Sequence, residues 1–178
     1  SGAAGTIYRE TPGQAGGRGT VTIDNNNIVT GPAMTMVPAT EPDMTRFSEV
    51  ILTNRGFLAL NTNTMLDWIA RPNLTVYGPR QSLLMAQNTD FVTLSPDFTL
   101  SGFNLMLCTN LAISGDLVVS NGTLTLATAY HPCLSVGGDA ILTAASSLSH
   151  GAGDESMRLT GDIAGNLTIE AGSAIDVN

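Results

Sequence analysis

The chain has 178 residues, enough for one sizeable core, and a formal net charge of −8 from 15 acidic and 7 basic residues. Lysine is absent and the arginines are scattered, so the chain repels phosphate backbones, which argues against nucleic acid as a partner. No apolar run approaches the ~18 residues of a membrane-spanning helix. Glycine, threonine, asparagine and aliphatic residues dominate instead, a mixture that favours short strands separated by turns.

Strand and turn signals are irregularly spaced through residues 1–105. The strand TVTI (20–23) is followed by Asn25, Asn26 and Asn27. Because asparagine tolerates left-handed backbone conformations and can form side-chain ladders, we predict a turn at this run. The phrases LTVYG (74–78) and FTLSG (98–102) have the same shape, each running from an apolar residue to a glycine. The second of these glycines lies much closer to the glycine at 115 than to the one at 78, so one of the two glycines at 102 and 115 must lie on a different corner.

A Gly-Asp step recurs regularly through residues 106–178. The steps are Gly115-Asp116, Gly138-Asp139 and Gly161-Asp162, and their equal spacing of about 23 residues is typical of a structural repeat. An apolar pair precedes each step and an apolar or small residue follows it. We interpret the step as one corner of a repeat, where glycine tolerates φ > 0 and aspartate bonds the turn backbone.

One repeat contains three short strands, 111–113, 117–119 and 123–126, separated by turn signals. Such a unit buries its apolar side chains only by stacking on a neighbour. The sequence therefore predicts an all-β fold, a right-handed parallel β-helix of about seven to eight coils with ~23 residues per coil and a length of roughly 35 Å. An antiparallel β-sandwich is the alternative. The predicted inward residues are Leu111, Ile113, Leu117, Val119, Leu124, Leu126, Leu134, Val136, Leu142, Leu148, Met157, Leu159, Ile163, Leu167 and Ile169.

We expect a single domain over residues 1–178, with less regular coils in 1–105 and regular coils in 106–178. The chain opens without methionine, and its last residues read as a strand still under way. We therefore expect it to be a segment of a longer protein.

Two sets of side chains could carry chemistry in the regular repeats. Asp116, Asp139 and Asp162 would stack on one edge, where they either form a ladder in which each aspartate caps its own turn backbone or bind Ca²⁺. Cys108 and Cys133 are separated by slightly more than one repeat, so they form either a disulfide across neighbouring coils or a pair of buried free thiols. Two cysteines make no zinc site.

Catalytic signals are weak. The two histidines, His131 and His150, have no serine or cysteine motif beside them, so a catalytic triad has no support. A polysaccharide-cleaving enzyme would need clustered acids beside an arginine, and the best available set is scattered: Asp90, Asp97, Arg80 and Arg71. We therefore expect that the chain is not an enzyme.

Trp68 is the sole tryptophan. Together with Tyr77 it could stack against a sugar ring, or it could instead fill the core beside its apolar neighbours. The first interpretation would make the chain an adhesin or a carbohydrate-binding module.

Several phrases resemble those of very large secreted or surface bacterial repeat proteins, such as filamentous haemagglutinins and autotransporter passengers. These phrases are GTIYRE (5–10), GTVTIDNNN (19–27), GDLVVSNGTLTL (115–126) and GNLTIEAGSAIDVN (165–178). The resemblance implies a right-handed β-helix serving as a stalk or fibre at the cell surface or outside the cell. It implies no catalytic residue.

The leading hypothesis is a structural module of an extracellular or cell-surface fibre. An exposed last coil offers unpaired backbone groups to another copy, and neither end of the sequence resembles a polar cap. We therefore predict head-to-tail stacking of copies, with glycans as further candidate partners and no membrane insertion by this segment.

Overall fold

The computed structural model describes residues 5–28, 35–37, 47–60, 74–76, 83–86, 92–94, 96–129, 131–151 and 158–177. Within these ranges no helix is long and apolar enough to span a membrane. Regular structure there consists of strands: β1 Gly5–Arg9, β2 Thr20–Asp24, β3 Thr35–Val37, β4 Glu49–Thr53, β5 Phe57–Leu60, β6 Leu74–Val76, β7 Leu83–Ala86, β8 Val92–Leu94, β9 Phe98–Ser101, β10 Asn104–Leu107, β11 Leu111–Ile113, β12 Leu117–Ser120, β13 Thr123–Leu126, β14 Leu134–Val136, β15 Ala140–Thr143, β16 Ser147–His150, β17 Gly161–Ile163, β18 Leu167–Ile169 and β19 Ala174–Asp176.

The strands form four sheets. Sheet A has the order β1-β2-β4-β6, and sheet B has the order β19-β16-β13-β10-β7-β5-β3. Sheet C is β17-β14-β11-β8 and sheet D is β18-β15-β12-β9. Sheet B therefore includes strands from both the irregular and the regular parts of the sequence.

From β8 onward, consecutive strands belong to sheets C, D and B in turn, and this order repeats up to β19. We call each set of three consecutive strands a layer; the layers are β8–β10, β11–β13, β14–β16 and β17–β19. Each strand pairs in parallel with its equivalents in the adjoining layers; Leu117, for example, is the partner of both Phe98 and Ala140. The three predicted strands per repeat are therefore confirmed.

The antiparallel sandwich is the wrong alternative for this chain. Among the described strands, pairing is parallel throughout sheets B, C and D and between β2, β4 and β6. The exception is β1, which pairs antiparallel with β2.

The core lies between the sheets and is built from alternate strand residues. In β12, for example, Leu117 and Val119 are fully buried while the side chains between and after them are half-buried. This alternation follows from the two-residue period of a strand. The inward prediction is confirmed by burial for these residues: Leu111, Ile113, Leu117, Val119, Leu124, Leu126, Leu134, Val136, Leu142 and Leu148.

The prediction of a fixed repeat length is wrong. Equivalent turn residues in successive layers are separated by 19, then 23, then 27 residues. Most of the extra residues lie in the connections from sheet B to sheet C, which lengthen from 108–110 to 127–133 and then to 151–160, and one more lies in the connection from sheet D to sheet B, which lengthens from 121–122 to 144–146. Strand lengths stay nearly constant because the strands must match across the sheet, whereas loops accept insertions at small cost.

The third Gly-Asp step is therefore not a corner. Gly161 and Asp162 belong to β17, where they pair with Leu134 and Ser135. The equivalent corner is Gly165-Asn166, just after this strand, because this register places Leu167 and Ile169 on the columns of buried apolar residues that precede them. Of the three other inward predictions near this step, Leu159 and Ile163 are half-buried against the core and Met157 lies outside the described residues.

Candidate assembly surface

The face of the last layer is apolar and uncovered. Along one column of stacked side chains, Leu117 is 0% exposed, Ala140 2% and Leu167 45%. Exposure rises in the same way along the next column, which ends at Ile169 with 44% of its surface exposed. The exposed apolar residues of this layer are Leu167, Ile169, Ile175 and Val177; we call them the tail face. They continue the inward pattern of the core, and no layer follows them within the described residues.

Backbone edges accompany this apolar face. The strands β17, β18 and β19 are the terminal strands of sheets C, D and B within the described residues. Each terminal strand presents a row of N–H and C=O groups on the side away from its neighbour, and such edges accept a further strand. The tail face and these three edges therefore match what a further layer would need.

The acidic residues of the last layer surround this face. Asp162, Glu170 and Asp176 are all exposed, and the Thr143 hydroxyl donates a hydrogen bond to the Glu170 carboxylate. Two tail faces brought together would oppose these like charges, which is unfavourable.

In sheet A, which contributes no strand to the tail face, β1 covers the edge of β2. Tyr8 lies opposite Val21 in the antiparallel register, and its ring packs edge-on against Phe47 at 6.0 Å between centroids. The Tyr8 hydroxyl accepts a hydrogen bond from the Gly19 N–H at 3.0 Å and donates one to the Glu10 carboxylate. That donation, with a second from a backbone N–H, lowers the pKa of Glu10. β1 therefore covers the edge of β2, while the prediction that neither end is a polar cap stays a prediction.

The turn aspartates form a ladder between layers. Asp97 Oδ1 accepts the N–H of Asp116 at 2.8 Å, and Asp116 Oδ1 accepts the N–H of Asp139 at 2.8 Å. Asp139 Oδ1 in turn accepts both the backbone N–H of Asn166 at 2.7 Å and its side-chain amide at 3.2 Å. Asp162 lies outside this ladder, so the predicted column is wrong at its third member. Each carboxylate bonds the following turn rather than its own.

The ladder explains why glycine precedes Asp116, Asp139 and Asn166. A Cβ on Gly115 would overlap Asp97 Oδ1, and one on Gly138 would overlap Asp116 Oδ1. A Cβ on Gly165 would likewise overlap Asp139 Oδ1. None of the three has φ in the left-handed region, so the conformational reason predicted for the glycine is wrong. The glycine makes room for the carboxylate of the preceding layer.

The predicted calcium site included Asp162 as its third carboxylate, but Asp162 lies in β17 rather than at the corner with the other two aspartates. In the part of the chain that the structure describes, no group of three or more His, Cys, Asp or Glu residues could hold a metal ion. The hydrogen-bonded ladder accounts for Asp116 and Asp139, while the Ca²⁺ site stays a prediction.

The two cysteines are free thiols, so the disulfide alternative is wrong. They lie in adjoining layers, but the registers of the neighbouring strands put Cys108 beside residue 127 and Cys133 beside residue 110. Cys133 is buried, with its Sγ 3.0 Å from the Thr160 carbonyl oxygen. Cys108 is half-buried, and this burial raises its pKa.

The asparagine run forms a turn, as predicted. Asn26 and Asn27 both have φ in the left-handed region. The side chain of Asp24 accepts the Asn26 N–H at 2.7 Å, and the Asn27 N–H donates to the Asn54 carbonyl at 3.0 Å. The Asn27 amide reaches Asn54 Oδ1 at 3.4 Å, so this turn also bonds to the turn that follows β4.

The remaining candidate residues are only partly described. Trp68, Tyr77, Asp90, Arg80 and Arg71, on which the carbohydrate-binding and polysaccharide-cleaving hypotheses depend, lie outside the described residues. Asp97 is engaged in the ladder. His131 hydrogen-bonds the Thr160 hydroxyl at 2.8 Å and His150 hydrogen-bonds the Gly151 carbonyl at 2.7 Å.

No family model, no curated protein and no solved structure matches this chain.

Proposed function

We propose that the chain is a right-handed parallel β-helix that serves as a structural module of an extracellular or cell-surface fibre or stalk and adds copies end to end. Support for the helix comes from the cyclic use of sheets C, D and B, since a chain that winds around a common core returns to the same sheets in the same order. Right-handedness is the general rule for connections between parallel strands.

The tail face is the observation that carries the proposed assembly. Leu167 and Ile169 are inward-facing by register and yet nearly half exposed, and three parallel strand edges accompany them. A layer added there would bury these side chains and pair the edges at the same time.

A second copy offers a suitable layer at its other end. Its β2 and β4 carry the same alternation, with Val21 and Ile23 buried beside Val50 and Leu52. Described charges at the β1–β2 end are balanced, with Arg9 and Arg18 against Glu10 and Asp24 and the rest uncharged over 5–28. The acidic last layer therefore meets less repulsion there than at a second tail face.

An interface between two different ends of the same molecule is heterologous. Such an interface does not close on itself, so its repetition produces a filament rather than a dimer. A filament of this kind would supply length and stiffness, and its acidic, lysine-free sides would disfavour lateral association.

Two charge substitutions on β18 test the proposal. Ile169→Glu puts a carboxylate into the tail face, whereas Thr168→Glu puts the same charge on the outer face of the same strand, where Thr168 pairs with Ile141. In sedimentation velocity over a concentration series, we expect the parent and Thr168→Glu chains to form larger species as concentration rises and Ile169→Glu to stay monomeric. Equal association of both variants, each checked for folding by circular dichroism, would reject the tail face as the assembly surface.

A further inference from the structure

The strand β1 differs from every other described strand in its direction, and like β18 and β19 it is exposed along its whole length. It is antiparallel to its neighbour, and all five residues from Gly5 to Arg9 are exposed. Ile7 and Tyr8 are 46% and 45% exposed. A strand with so few buried contacts opens at a smaller free energy than the core strands do.

The site that β1 occupies is otherwise suited to a parallel strand. Its partner β2 is parallel to β4 on the other side. On the face shared with Val21 and Ile23, β1 supplies only Tyr8 and Thr6. The Thr6 hydroxyl also contacts the Thr35 hydroxyl at 2.8 Å, so the strand reaches toward sheet B as well.

We propose that β1 is an internal blocking strand that must leave the edge of β2 before the tail face of a second copy can bind there. This inference rests on the proposed end-to-end assembly and adds the step that limits when a second copy can bind. The partner is a copy of this chain, because its last layer supplies parallel strands with apolar residues at alternate positions.

Once β1 has left, its replacement on the β2 edge by the tail face of a second copy is favourable. The incoming layer brings the four apolar residues of the tail face, which are between 37% and 62% exposed beforehand, and covers Val21 and Ile23 again. More apolar surface is then buried than β1 alone covers, so the block is a matter of rate rather than of equilibrium.

Gly19 provides a specific means of releasing β1. It is buried against this strand, and a Cβ there would overlap the Arg9 carbonyl oxygen and approach the Tyr8 ring. The nearest atoms all belong to β1, so Gly19→Ala should displace β1 and leave β2 paired with β4. Gly16, shortly before it in the chain, has open space where a Cβ would lie and no left-handed φ, so Gly16→Ala is the matched control.

The experiment compares the assembly rate of the parent chain, Gly19→Ala and Gly16→Ala by light scattering after dilution to a common concentration. Overpacking at Gly19 should raise the open population and the initial rate about tenfold, while Gly16→Ala should match the parent. A second variant with Ile7→Cys and Thr22→Cys, which are Cα partners in the β1–β2 pair, should slow assembly when oxidised and recover on reduction.

The outcomes separate this inference from the proposed function. If all variants assemble at the parent rate, β1 is not a block, although end-to-end assembly stands. If no variant assembles at any concentration while circular dichroism shows folded strands, the assembly proposal fails and this inference fails with it.

Discussion

Shortening a leucine to alanine should destabilise the protein much more in the buried part of an apolar column than at its exposed end. Leu117 and Leu167 belong to the same column, with Ala140 between them, but are 0% and 45% exposed. Leu117→Ala removes a fully buried side chain and leaves a closed cavity, which costs about 3–5 kcal/mol. Leu167→Ala loses roughly half of the transfer free energy and leaves no closed cavity, so its cost is about 1 kcal/mol.

Urea unfolding followed by far-ultraviolet circular dichroism measures both costs. The protein concentration must be low enough that the chain is monomeric, since assembly would cover Leu167 and raise the cost of its truncation. We expect the midpoint for Leu117→Ala to fall well below that for Leu167→Ala, with similar denaturant slopes. Equal costs in the monomer would mean that Leu167 is already covered, and would refute the uncovered tail face.

Three further predictions follow from the ladder and from the last strand. Asp116→Ala removes the acceptor for the Asp139 N–H and should lower the free energy of unfolding by about 0.5–1.5 kcal/mol, whereas Asp116→Asn keeps an acceptor oxygen and should cost less. Gly115→Ala should cost about 1–3 kcal/mol because its Cβ displaces a ladder carboxylate. Hydrogen bonds to the Val177 carbonyl and then to a neighbouring one raise the pKa of His150, so its stabilisation is complete below the ordinary histidine pKa and is lost as pH rises through the raised value. Thermal melting from about pH 5 to 9 should show this loss in the parent chain and not in His150→Gln.

Each of these predictions has an outcome that contradicts it. Equal unfolding free energies for the alanine and asparagine variants at Asp116 would mean that the ladder bond contributes nothing. A neutral Gly115→Ala would mean that the close approach of the carboxylate is unimportant. An unchanged pH profile in His150→Gln would assign the pH dependence to other groups.

The regular part of the fold could be predicted from the sequence because two independent signals agree there. Alternation of apolar residues fixes which side chains of Leu111 to Leu148 point inward, and Gly-Asp steps at Gly115 and Gly138 fix the corners. Both signals are local, so no knowledge of the partner strand was needed. The parallel pairing then followed from the need to stack identical units.

The third corner was misplaced because the sequence contains two candidates. Gly161-Asp162 keeps the interval between the first two steps, whereas Gly165-Asn166 keeps the order of glycine, polar residue and alternating apolar residues. The apolar columns decide in favour of the second, and they can be compared only after the layers are stacked. The true role of the glycine was hidden for the same reason, since the carboxylate it accommodates comes from the preceding layer.

The direction of β1 could not be predicted from the sequence. The segment TIYR (6–9) alternates in the same way whether it pairs parallel or antiparallel, so its pattern gives no direction. Its pairing depends on the loop at 10–19, where Glu10 accepts the hydroxyl of Tyr8 and the N–H of Gly17. These contacts join nearby positions in a loop without periodicity.

Electron microscopy of the parent chain and of Ile169→Glu over a concentration series tests the central claim most directly. The account predicts thin, unbranched filaments that lengthen with concentration in the parent chain, and separate short particles in Ile169→Glu. Separate short particles of the parent chain at every concentration, or filaments equally abundant in Ile169→Glu, would contradict the claim that the tail face receives the next copy.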